Sequence, residues 1–377
     1  MDKDLIDWIY TVSQADPRHE NGGVLGSMTT PPPPEALKIV NHFISKNLGD
    51  PHLFKSLELI TEKLVSLTRE TLGLPPNMKG IITSGGTESN ILALYSFRES
   101  LGVKKVVLTD VAHYSVLKAS KILGIYSEVV QTDFSGKFRP DDISKKIHGP
   151  SDSLVMTMGT TQLGGVEDPR EILDDLNRIP IHVDAAFGGL TFPFINPEKF
   201  HGILRALISS GTNFTIGVDF HKFLGAPIPS GIIFVPEEIY PSLSFDVNYI
   251  SSGKQFGLLG TRPGFSAAAA LATLAYYGLD GLSKKAKLAY ENTLWFLEEA
   301  KHRGLGFPVN RPEVPIACLS TDELIEREKL LEELAKRGFF VYRGEKCRGI
   351  RVVMMPHVRK SHLQRLLKAI EEVLISS

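Results

Sequence analysis

The chain has 377 residues, 42% of them hydrophobic and 23% charged, the makeup of a globular protein with room for two or three domains. Its 42 Lys and Arg against 43 Asp and Glu leave a net charge of −1, without the basic surplus of a general nucleic-acid binder. Two cysteines, Cys318 and Cys347, exclude a disulfide framework and a four-cysteine zinc site, and a reducing, cytoplasmic setting fits.

Met1-Asp2-Lys3-Asp4 leads into no apolar signal core, and the longest apolar stretch, 267–277, is too short to span a bilayer. Residues 1–50 form an N-terminal segment without clear alternation. It holds a loop-like run, Glu20-Asn21-Gly22-Gly23, and four prolines from Pro31 to Pro34, so a helix there starts at about Glu35. Leu53, Leu57, Ile60, Leu64 and Leu67 recur every three or four residues and predict an amphipathic helix, stopped by Gly73 and Pro75-Pro76.

From Gly80 short apolar runs alternate with helices. Ile81-Ile82-Thr83, Val106-Val107-Leu108, Val129-Val130, Leu154-Val155-Met156, Ile181-His182-Val183 and residues 214–218 and 232–235 read as strands. Helices are expected over 88–100, 115–123 and 169–176. That order implies an α/β fold, a doubly wound and mainly parallel sheet whose ligands sit at the carboxyl ends of its strands. After about Leu279 the pattern changes. A long charged helix covers 284–301 and a strand 315–320. A capping box, Ser320-Thr321-Asp322-Glu323, opens a helix to Arg337. Strands over 339–342 and 350–355 and a last helix from about Lys360 complete a smaller α+β domain. The expected divisions are 1–50, 51–279 for the large ligand-binding domain, and 280–377 for the small C-terminal domain.

Glycine-rich dinucleotide, Walker, serine-hydrolase and zincin motifs are absent. Four polar clusters remain. Ser84-Gly85-Gly86-Thr87 sits at a strand-to-helix turn, where two glycines and a helix N-terminus suit a phosphate, although a plain capped turn has the same composition. Asp184 ends an apolar strand in His182-Val183-Asp184-Ala185-Ala186. There it would pair with a protonated ring nitrogen, bind a metal, or merely cap a turn. Lys222, in Asp219-Phe220-His221-Lys222-Phe223, lies in an apolar stretch and either reaches out to solvent or is a desolvated nucleophile. Gly260-Thr261-Arg262-Pro263-Gly264 is an anion loop or a simple turn. Together, a phosphate cradle, a strand-end aspartate and a later lysine have the layout of a pyridoxal-phosphate enzyme. In that layout the lysine forms a Schiff base and the aspartate holds the pyridine nitrogen.

At these residues the chain resembles the group II pyridoxal-phosphate decarboxylases of fold type I, and within them the archaeal L-aspartate/L-tyrosine decarboxylases. The likeness runs through Leu25-Gly26-Ser27-Met28, Asn47-Leu48-Gly49-Asp50-Pro51, residues 84–90, 182–189, His221-Lys222, Ala226-Pro227-Ile228-Pro229-Ser230-Gly231, the 260–264 loop and Met355-Pro356-His357-Val358. The resemblance implies that Lys222 bonds the cofactor, Asp184 binds its ring nitrogen, His113 stacks on the ring and Ala186 packs against it. It implies that Gly86 and Thr87 hold phosphate with help from His221, and that Thr160 lies near the ring hydroxyl. Thr261 would reach the phosphate of the other subunit of a homodimer. Tyr249 would be the mobile-loop proton donor, and Arg351 would grip the substrate carboxylate with its bidentate fork.

The implied reaction is decarboxylation of L-aspartate to β-alanine, a coenzyme A precursor. L-tyrosine to tyramine, on the methanofuran route, and L-glutamate are alternatives, as is a carbon–carbon lyase. No nucleic acid, membrane or metal is expected as a partner.

Overall fold

A computed structural model describes residues 2–176, 178–250 and 252–376. Its elements in chain order are α1 (Lys3–Ser13), α2 (Pro34–Phe43), α3 (Lys55–Leu72), β1 (Met78–Thr83), α4 (Gly86–Leu101), β2 (Lys105–Thr109), α5 (Tyr114–Leu123), β3 (Tyr126–Val130), α6 (Pro140–Ser144), β4 (Asp152–Thr157), β5 (Ile181–Asp184), α7 (Phe192–Ile195), α8 (Pro197–Ser209), β6 (Phe214–Asp219), β7 (Gly231–Pro236), β8 (Ser244–Asp246), β9 (Lys254–Phe256), α9 (Gly264–His302), β10 (Ile316–Ser320), α10 (Arg327–Lys336), β11 (Tyr342–Gly344), β12 (Gly349–Val353) and α11 (Lys360–Ile375).

Seven strands form one sheet in the order β1-β7-β6-β5-β4-β2-β3. Only β7 runs against its neighbours, pairing antiparallel with both β1 and β6. Strands β4 to β7 are buried along their whole length, which is why they read as continuous apolar runs rather than alternating ones. One face packs against α4 and α5 through Leu92, Phe97 and Val116, and the other holds Leu64, Met156, Phe200 and Phe296. The expected α/β sheet is therefore present. The three-stranded sheet β10-β12-β11 is antiparallel, and α10 and α11 accompany it in the expected β-α-β-β-α order.

Several local expectations differ. Leu53 lies outside the helix and is 70% exposed, because α3 begins only at Lys55. Residues 169–176 form two short 3₁₀ turns instead of a helix. The capping box starts nothing: Ser320 still belongs to β10, and the N–H of Thr321 donates to Arg348 O. Helix α10 starts at Arg327, whose guanidinium pairs with Asp322 and Glu345. A single long helix, α9, spans the change of pattern near Leu279, with a break at Gly278, where φ is +60°.

The N-terminal strap is woven into the small sheet. Val353 N–H donates to Leu25 O at 2.7 Å, and Leu25 and Gly26 N–H donate to Phe340 O. Against the reducing setting that two cysteines suggest, Cys318 on β10 and Cys347, between β11 and β12, form a disulfide. Beside it Lys346 pairs with Asp110 and Thr132 of the large sheet's rim, so the cross-link fixes within the small sheet the turn from which Lys346 reaches the large one. Closing a loop of 29 residues is expected to stabilise the fold by about 3 kcal/mol. Thermal melts with and without dithiothreitol, and of Cys347→Ser, should show matching drops in Tm; unchanged melts would remove the brace.

Candidate active site

Four strand ends converge on one cleft of about 400 Å³. Pairing of β4 with β5 sets Thr157 beside Asp184, and pairing of β5 with β6 sets Asp184 beside Gly217, two residues short of Asp219. The cleft is lined by Gly85, Gly86, Thr87, His113, Asp184, Ala186, Asp219, His221 and Lys222, with Met28 from the N-terminal strap and Thr161 from the turn after β4.

The first part of the site is a cradle. Gly85 adopts φ +142° at the start of α4, in the region that favours glycine, and a Cβ there would lie 2.6 Å from His221 Cε1. A Cβ on Gly86 would lie 3.0 Å from Ala186 Cβ. Two bare backbone positions thus let a ligand approach the helix end, where the N–H groups of Gly86 and Thr87 have no intrahelical acceptor.

The second part is a lysine held by a buried carboxylate. Asp219 is almost fully buried, and its Oδ2 lies 3.1 Å from Lys222 Nζ and 3.6 Å from His221 Nε2. Its Oδ1 has no hydrogen-bond partner among the described residues. A carboxylate beside an anion cradle is tolerable because two cations or potential cations face it. Lys222 itself has non-helical φ −82°, ψ −114° within a short helical turn after β6, which turns its side chain into the cleft.

The third part is Asp184, buried at the end of β5. Its Oδ1 accepts from Ala186 N–H at 3.1 Å and its Oδ2 from Asn90 Nδ2 at 2.9 Å. Burial holds the His113 imidazole below its usual pKa; Asp184 nearby works against this, and Lys222 adds to it. His182, beneath Asp184 in β5, is wholly buried, and burial pushes its pKa down to about 4.

Burial keeps folded His182 neutral, whereas the unfolded chain takes up a proton near pH 6.5, so its share of stability is complete above pH 6.5 and fades as pH falls toward 4. The loss approaches about 3 kcal/mol. Glu167, pushed by burial up to about 7, acts in the opposite sense as pH falls. His182→Gln cannot titrate, so its Tm relative to the parent should rise between pH 7 and pH 5. A constant gap would remove this account.

These residues fit pyridoxal phosphate: a bare-backbone phosphate cradle, a lysine beside a buried counter-charge, and a second buried carboxylate at the neighbouring strand end. A model of the "Pyridoxal-dependent decarboxylase conserved domain" matches residues 56–321. The chain belongs to the pyridoxal-dependent decarboxylase family. It is 35% identical to the L-aspartate decarboxylase of Thermococcus kodakarensis over 96% of this chain and 94% of that one. It is 31% identical to the L-tyrosine/L-aspartate decarboxylase of Methanocaldococcus jannaschii over 99% and 97%. Among solved structures, Lactobacillus brevis glutamate decarboxylase superposes with a TM-score of 0.87 at 17% identity, covering all of this chain and 92% of its own. The protein is thus a pyridoxal-phosphate-dependent amino-acid decarboxylase of the fold expected for it. Among the described residues no helix is long and apolar enough to cross a membrane.

The structure brings seven of the expected site residues together in this decarboxylase cleft: Gly86, Thr87, His113, Asp184, Ala186, His221 and Lys222. Four stand elsewhere. The Thr160 hydroxyl accepts from Gly165 N–H at 2.9 Å and closes a turn, and Thr160 lines a neighbouring cleft, while Gly159 and Thr161 line this one. Tyr249 is 91% exposed, in a loop whose Ser251 lies outside the described residues. Thr261 is exposed and away from the cleft. Arg351 is buried, and its fork is already occupied: Nη1 donates to Thr161 O at 3.1 Å and Nη2 to Gly26 O at 2.5 Å. Asp219 went unread in the sequence, although it ends an apolar strand just as Asp184 does.

Proposed function

We propose that this decarboxylase removes the α-carboxylate of L-aspartate, giving β-alanine, a coenzyme A precursor, and carbon dioxide. The relatives' names support aspartate. The observation that carries decarboxylation is the meeting of Lys222, Asp184 and the bare-backbone turn of Gly85 and Gly86 in one cleft.

Pyridoxal phosphate, when bound, supplies a sink for the electron pair left by departing carbon dioxide. The chain does the rest. Gly86 and Thr87 present N–H groups to the phosphate, with His221 beside them. Lys222 would hold the cofactor covalently, Asp184 would hold its ring nitrogen, and His113 and Ala186 would enclose its ring. The position expected of Thr160 passes to Gly159 and Thr161.

Tyr249 and Thr261, exposed here, are assigned to the cleft of a second copy, so the working form is a homodimer with Tyr249 returning the proton to Cα. An active, strictly monomeric enzyme would remove that assignment.

Purified protein with pyridoxal phosphate, given aspartate, tyrosine and glutamate in separate reactions, tests the reading. β-Alanine should dominate. Tyramine would move the substrate to tyrosine and the methanofuran route. An absence of amine from all three would sink the assignment.

A further inference from the structure

Behind the cleft a run of hydrogen bonds joins Thr215, His182, Asn90, Ser115 and His113, and each link admits one direction. The Asp184 carboxylate can only accept, so the Asn90 group 2.9 Å from its Oδ2 must be the amide NH₂. Asn90 Oδ1 then faces His182 Nε2 at 2.8 Å, and His182 must carry its proton there. Buried and neutral, His182 is left with a bare Nδ1, which accepts from the Thr215 hydroxyl at 2.8 Å.

The second hydrogen of the Asn90 amide points to Ser115 Oγ at 2.8 Å. That contact occupies a lone pair on Oγ and frees the hydroxyl hydrogen for His113 Nδ1, 2.7 Å away. The backbone N–H of Ser115 also donates to Nδ1, at 3.3 Å. Two donors on one nitrogen leave no room for a proton on it.

We infer that Asn90 is a positioning residue: held by Asp184 and His182, it acts through Ser115 to keep His113 in the Nε2–H tautomer. The carboxylate assigned to the cofactor's ring nitrogen thereby also sets the ring edge on which His113 carries its hydrogen. This rests on the placement of His113 and Asp184 about the cofactor given above, and it adds a coupling between them. The ring offers its donor on the side away from Ser115, and the histidine stays neutral while it does so.

The test is the tautomer itself, read on holoenzyme labelled with ¹⁵N-histidine and free of substrate, with the His113 signals assigned by loss in His113→Phe. Protonated and bare ring nitrogens resonate far apart. The parent should show a bare Nδ1 and a protonated Nε2. Asn90→Asp has the same shape but reverses the polarity toward Ser115: the new carboxyl and Asp184 share one proton, the Ser115 hydroxyl turns to the new acceptor oxygen, and His113 should shift toward the Nδ1–H form. Its kcat should fall at least about tenfold, with KM within about threefold, as for loss of an orienting partner.

Ser115→Ala, which removes one hydroxyl, covers the case in which Asn90→Asp does not fold. It should give a detectable Nδ1–H fraction and a lower kcat. An unchanged His113 tautomer in the folded variants overturns the inference, as does an Nδ1–H signal in the parent. The spectra need no turnover, so a parent that releases no amine would defeat the proposed function and leave this result to be judged separately.

Discussion

Lys222→Ala should form no amine above a residual rate lower by roughly three orders of magnitude or more, since the reacting nucleophile is gone. A second effect follows from the buried pair. Lys222 Nζ, 3.1 Å from Asp219 Oδ2, is the nearest cation to that carboxylate, and Asp219 Oδ1 has no partner among the described residues. Removing the lysine leaves a buried charge faced, among the described residues, only by His221 at 3.6 Å. The variant should lose about 3 kcal/mol at neutral pH. Adding Asp219→Asn should restore most of the stability and none of the turnover. Amine release and thermal melts on the three proteins separate the two roles. Full activity in Lys222→Ala would end the assignment, and an unchanged Tm would show that the pair contributes little.

The layout of this site was legible where strand ends carry it. Asp184 and Lys222 each follow a fully buried apolar run, and in a parallel sheet such runs end at one rim. The same rule applies to Asp219, which ends the buried run of β6 three residues before the lysine. The sequence points to Thr160, but a tight turn closed by Gly165 N–H sets Thr160 at a neighbouring cleft and leaves Thr161 lining this one. Arg351 is expected to grip a substrate carboxylate, but its fork belongs to two backbone carbonyls that only the folded strap brings near. The failed capping box shows a related limit: Ser320 pairs with Gly349 across the small sheet, and this tertiary strand pairing overrides the local signal. Helix α8, with Asn196 accepting from Lys199 N–H and Pro197 in its first turn, carried a readable start signal that went unused.

Asp184→Asn should still hold the cofactor through Lys222 and the glycine cradle, yet turn over some 10²- to 10³-fold more slowly, the scale for removing one preorganised electrostatic partner. Two causes act together. The charge that keeps a proton on the ring nitrogen is lost, so the electron sink weakens. The amide also brings an NH₂ into a site where both neighbours are donors, Ala186 N–H at 3.1 Å and Asn90 Nδ2 at 2.9 Å. One of those contacts must break or Asn90 must turn over. If Asn90 turns, its oxygen faces Ser115, the orientation of the whole run to His113 is disturbed, and the absorption of the bound cofactor should change along with kcat. Stopped-turnover rates and the spectrum of the resting enzyme would be measured on the same sample. Unchanged kinetics with an unchanged spectrum would place the ring nitrogen somewhere other than Asp184. A slow enzyme with a normal spectrum would assign the loss to the proton on the ring nitrogen alone, with Asn90 still in its original orientation.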